Sequence, residues 1–149
     1  MSNLEHIAEF KKEGMSFTQL PLVKKAQDDF RFIATRSNFM VTTNLGLQSI
    51  VKDGNRLADV LVVPFSVEEK STTFPANLVK TDDSKMCVGI VCYSDGNPVD
   101  VLMFNSSNFA KPKKFVKYDK KNQQFIIKIK DIKHKSAQKH AFGVFINQI

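Results

Sequence analysis

Two apolar runs, residues 86–93 (MCVGIVCY) and 99–104 (VDVLMF), are separated by Ser94-Asp95-Gly96-Asn97-Pro98. Asp-Gly is a strong tight-turn signal, because both residues accept positive φ at low cost. The pattern predicts a β-hairpin, which is the strongest local constraint on the fold. A longer apolar run, residues 57–67 (LADVLVVPFSV), predicts a buried strand from its length and β-branching. Pro64 lacks an amide donor, so it places that strand at a bulge or a sheet edge.

Weaker strand signals occupy residues 20–23, 29–36, 39–43 and 47–52, the last running into a second tight turn at Asp53-Gly54. Within 29–36, Phe30, Phe32 and Ala34 alternate onto one side. Further strands are expected at 113–118, 125–130 and 141–146. Residues 68–85 carry the acid pairs Glu68-Glu69 and Asp82-Asp83 and read as a long surface loop with a helical turn near 76–79. Residues 105–110 read as a polar connection. At the start, Ser2 and Glu5 have capping-box spacing, Leu4, Ile7 and Ala8 share a helical face, and Gly14 supplies a stop. A short helix over 3–13 follows. Together these signals predict a mainly β chain, one domain over residues 1–149. The expected architecture is an antiparallel barrel of OB-like type or a small sandwich, with a short N-terminal helix.

Charge is distributed unevenly along this frame. Residues 111–139 hold eleven basic and two acidic residues, a net +9, whereas the rest holds eleven basic and thirteen acidic, a net −2. The whole +7 excess therefore sits in one segment. With Tyr118 opposite Gln124, a hairpin over 113–130 puts Phe115, Phe125, Ile127 and Ile129 on the core face. Lys114, Val116, Tyr118, Ile126, Lys128 and Lys130 then form the outer face. Lysines attract phosphates through counterion release, and bases stack on exposed aromatics. The expected contact set is Lys111, Lys113, Lys114, Lys117, Tyr118, Lys120, Lys121, Lys128, Lys130, Lys133 and Lys135, with Phe109 as a further stacking ring. Arg31 and Arg36 form a second candidate: on a strand, Phe30, Phe32, Arg36 and Phe39 make either a stacking platform or core with a snorkelling arginine.

Other chemistry is missing. Cys87 and Cys92 are the only cysteines, and their odd spacing puts them on opposite faces of a strand, as two buried reduced thiols. His6, His134 and His140 have no ligand spacing, and no Gly-rich phosphate loop, G-x-S-x-G or H-E-x-x-H occurs. No catalytic residues, metal or cofactor are expected. The N-terminus has neither the basic nor the apolar region of a signal peptide, and no apolar run reaches membrane length. A soluble, cytoplasmic, non-enzymatic protein is expected, binding single-stranded nucleic acid with little sequence preference. The alternative is an inhibitor or assembly factor docking an acidic protein partner. Abundant Lys, Asn, Phe and Ile would suit a viral or phage accessory protein. A lysine-rich strand face also solubilises a sheet without any partner.

Overall fold

The computed structural model describes residues 16–111, 116–128 and 140–147. The expected helix over 3–13 lies outside them.

A 3-10 turn, Phe17–Gln19, leads into α1, Pro21–Arg36. Strands β1 (Met40–Asn44), β2 (Leu47–Lys52) and β3 (Asn55–Ser66) form a meander. Strand β4 (Ser71–Pro75) leaves that sheet, and a 3-10 turn at Ala76–Leu78 follows. Strands β5 (Met86–Ser94) and β6 (Asn97–Asn105) return to it. A 3-10 turn, Ser106–Phe109, precedes β7 (Lys117–Asp119) and β8 (Gln124–Lys128). The short helix α2, Phe142–Ile146, comes last.

The larger sheet has the order β1-β2-β3-β5-β6 and the smaller one β4-β8-β7. The fold is mainly β, but the described strands do not close into a barrel, OB-like or otherwise. Nor is the larger sheet purely antiparallel, because β3 and β5 run parallel. A parallel pair needs a long crossover, and residues 67–85 supply it. The stretch expected to be a plain loop thus contains β4, whose Thr72, Thr73 and Phe74 are buried. The helical turn within it is present.

The expected tight turns form. Asp53-Gly54 and Asp95-Gly96 both have positive φ at the two central positions, and so does Leu45-Gly46 between β1 and β2. Gly46 is required twice over: its φ is +80°, and a Cβ there would lie 2.7 Å from Thr18 Oγ1. The β2–β3 ladder ends at Gln48 opposite Val60. Pro64 lies beyond it, where β5 alone pairs with β3, so its missing donor breaks no ladder. The Thr72 hydroxyl donates to the Pro64 carbonyl at 2.9 Å and ties β4 to this point.

Residues 20–36 overturn the strand expectation. Pro21 sits at the first helical position, where its missing N–H costs nothing. Val23, Ala26, Phe30 and Ala34 recur at helical spacing and are buried. Lys25 and Asp29 pair one turn apart at 3.0 Å. The end is a Schellman motif: Asn38 N–H donates to the Thr35 carbonyl and Phe39 N–H to that of Ala34, with Asn38 left-handed at φ 68°. The expected strand at 141–146 is also helical, retaining one bridge from Ala141 to Leu102.

The larger sheet is covered on both faces. One face packs Val60, Val62, Val91 and Met103 against Ala26, Phe30 and Ala34 of α1 and Phe142 of α2. Gly89 allows the close approach, since a Cβ there would fall 2.8 Å from Val60 Cγ1 and 3.6 Å from the Phe30 ring. The other face packs Leu61, Val63, Phe65, Val88, Ile90 and Phe104 against Phe74, Phe125 and Ile127 of the smaller sheet. Each such side chain contributes about 1.5–3 kcal/mol by leaving water.

Cys87 and Cys92 fall into different clusters, one on each face, and both are free and buried. Burial pushes each thiol up to about 12, with Asp59 beside Cys87 and Asp100 beside Cys92 adding to it. The reactive thiolate is therefore scarce at neutral pH. Iodoacetamide should leave both thiols untouched in the native protein and alkylate both in denaturant. Native labelling at the rate of a free thiol would contradict this packing.

Candidate nucleic-acid interface

Asp119 organises the β7–β8 hairpin. Its carboxylate accepts from the Lys121 and Asn122 amides at 3.1 and 3.3 Å, from the Asn122 side chain at 2.8 Å and from Gln124 Nε2 at 3.3 Å. The Asn122 side chain foremost, with the two amides and Gln124 adding to it, holds this carboxyl below its ordinary value. Four residues make the loop, the last being Gln123 at φ 51°. Asp119 therefore lies opposite Gln124, and Tyr118 opposite Phe125.

This register differs by one residue from the expected pairing of Tyr118 with Gln124. Because side chains alternate, the shift moves residues between faces. Tyr118 joins Phe125 on the side facing the larger sheet, and Val116 is buried in the core rather than outward. Lys117, Ile126 and Lys128 share the outer face, with Ile126 and Lys128 half-buried. Phe125 and Ile127 take the core positions expected of them.

Lys111, Lys117, Lys120 and Lys121 are exposed around this hairpin. Lys113, Lys114, Lys130, Lys133 and Lys135 lie outside the described residues, as do Phe115, Ile129, His6 and His134. Tyr118 is 47% exposed, on a strand that among the described residues has a neighbour on one side only. Phe109, expected as an exposed stacking ring, is buried instead. It packs against Phe125, Phe74 and Phe104 at ring distances of 5.1, 5.8 and 6.4 Å. Tyr118 extends this cluster outward, 5.6 Å from the Phe125 ring. The cluster opens into a cleft of about 270 Å³ lined by Thr81, Phe109, Ala110, Tyr118 and Phe125. Three chain segments meet there. Thr81 and Ala110 escaped sequence reasoning because no local pattern links them to Tyr118.

Arg31 and Arg36 are not part of this surface. They lie on α1, and the larger sheet stands between α1 and the hairpin. Arg31 Nη2 donates to Thr43 Oγ1 at 2.9 Å and to Gln48 Oε1 at 3.1 Å, tying the helix to the β1–β2 hairpin. Arg36 lies over the Phe32 ring at 5.6 Å. Helical spacing separates Phe30, which is buried, from Phe32, which is 62% exposed, so no shared platform exists.

A second concavity, about 210 Å³, is lined by Leu22, Lys25, Pro64, Ser66, Glu69, Tyr93 and Gly96. The Tyr93 hydroxyl donates to Asp29 Oδ2 at 2.6 Å, and Lys25 Nζ meets the same oxygen at 3.0 Å while lying over the Tyr93 ring. Burial first, then Asp29, raises the phenol's pKa. The three groups satisfy one another and clamp α1 to β5. Among the described residues no helix is long and apolar enough to cross a membrane. Comparison with protein-family models, curated proteins and solved structures finds no match to this chain.

Proposed function

We propose that this chain is a non-enzymatic, cytoplasmic binder of single-stranded nucleic acid that uses the β7–β8 hairpin and discriminates little between sequences. The observation that carries the reading is the half-exposed Tyr118 on the edge strand of the described smaller sheet, with Lys117 on the other face of that strand, Lys120 and Lys121 in the adjoining turn and Lys111 next to Ala110 of the cleft. Lysines of this kind neutralise phosphates, and the ring offers a stacking face to any base. A single strand suits this surface better than a duplex. Bases must be unstacked to reach a ring, and major-groove reading uses an exposed basic helix. On α1, Arg31 is engaged with Thr43 and Gln48 and Arg36 with Phe32.

The test is a titration with a labelled oligonucleotide at low and high salt. Affinity is expected to fall with salt, with a slope of about 0.7 per phosphate contact in log–log form. A duplex of equal length should bind more weakly. No binding at low salt, where attraction is least screened, would overturn the proposal.

A further inference from the structure

We infer that the cleft between Tyr118, Phe109, Phe125, Ala110 and Thr81 is a pocket for one nucleobase, an inference that rests on the single-strand reading above. Its size is the first reason. At about 270 Å³ it lies below the roughly 300–1,000 Å³ of pockets for drug-sized ligands, so it suits a single ring system. Its walls are the second. The Phe109 and Phe125 rings are tilted by 55°, and those of Tyr118 and Phe125 by 56°. These three rings are thus tilted and not stacked face to face on one another, and Tyr118 is 47% exposed beside the cleft.

Polarity supports the same ligand. Among the described lining residues, Thr81 contributes the one polar side chain besides the Tyr118 hydroxyl. A hydroxyl both donates and accepts, so it can meet the edge of any base and enforces little preference. Charge then sets the path of the backbone. Lys111 directly follows Ala110, and Lys120 and Lys121 form the turn just beyond Tyr118, whereas Asp82 and Asp83 follow Thr81. Flanking phosphates are drawn to the lysine side and repelled from the Thr81 side. A planar, uncharged ring joined to anions on one side is a nucleotide within a strand. An aliphatic side chain of a protein partner would fill the volume but would not stack on the half-exposed Tyr118 ring.

The experiment compares labelled oligothymidylate with an abasic deoxyribose-phosphate oligomer of equal length, using wild type, Ala110→Leu and Tyr118→Ala. Ala110 is exposed and has ordinary right-handed backbone, so leucine fits there and fills the cleft. Wild type should prefer the base-bearing oligomer by about tenfold. Ala110→Leu and Tyr118→Ala should each lose that preference while keeping the salt slope. Thermal melting checks that each variant is folded, and Thr81→Leu fills the cleft from the opposite wall should Ala110→Leu melt early.

Equal wild-type affinity for the two oligomers would overturn the inference and leave a charge-only surface. Unchanged binding by a folded cleft-filling variant, together with loss in Tyr118→Ala, would overturn it in favour of stacking outside the cleft. Failure of wild type to bind either oligomer at low salt would remove the single-strand reading itself. Retention of an acidic protein under those conditions, abolished by Ala110→Leu, would assign the cleft to a protein side chain.

Discussion

Reversing Lys111, Lys117, Lys120 and Lys121 to glutamate is expected to lower single-strand affinity by about two to three orders of magnitude at low salt. Each phosphate contact contributes about 0.7 to the slope of log K against log salt, so losing all four flattens it by nearly 3. Glutamate also adds repulsion, so a matching glutamine variant should fall between wild type and the reversal. Stability should barely change, since all four side chains are exposed and isolated surface substitutions usually stay within about 0.5 kcal/mol. The turn survives as well, because Asp119 holds it through the backbone amide of Lys121 rather than that side chain. Full retention of binding and slope would show that these four lysines are solubilising only. Any nucleic-acid contact would then fall to Lys113, Lys114, Lys128, Lys130, Lys133 and Lys135.

Phe30→Ala is expected to destabilise the fold by about 3–5 kcal/mol, the usual cost of truncating a buried aromatic. Phe30 is fully buried, meets Phe142 edge-on at 5.9 Å and lies over Gly89. Phe32→Ala should cost about 0.5 kcal/mol or less, since the ring is 62% exposed and gives up its contact with Arg36. The contrast tests the helix directly. On a strand the two rings would share a face, and the two truncations would cost similar amounts. Denaturant melts of the two variants decide between these outcomes. Near-equal losses would refute the placement of α1.

Local rules account for the turns. Asp53-Gly54 and Asp95-Gly96 were legible because positive φ at both central positions is a property of those residues. Leu45-Gly46 adopts the same conformation with a leucine that is 95% exposed. Leucine carries no turn signal, so this hairpin was visible only through its flanking strands. Around 21–36 two periods coexist in one segment: Phe30, Phe32 and Ala34 alternate, while Val23, Ala26, Phe30 and Ala34 repeat at helical spacing. Packing on the Gly89 surface and the Schellman stop select the second, and both need residues beyond the window that carries the alternation, Gly89 for the first and Asn38 and Phe39 for the second.

By itself the sequence determined the mainly β character, the apolar strands β3, β5 and β6, two of the tight turns and the concentration of charge in 111–139. These depend on composition, on spacing within one segment and on the φ that individual residues accept. Tertiary structure alone decided the parallel pairing of β3 with β5 and the presence of β4, and the folded geometry of a local turn decided the faces of the β7–β8 hairpin. The hairpin shows why. The apolar alternation of Phe125 and Ile127 told which side of β8 is buried, but the partner register depended on how Asp119 satisfies its hydrogen bonds. A one-residue difference there turned Tyr118 from the outer face toward Phe125 and the cleft. Thr81 and Ala110 reached that cleft through contacts distant in the chain, whose energy depends on several segments at once and is invisible to any one of them.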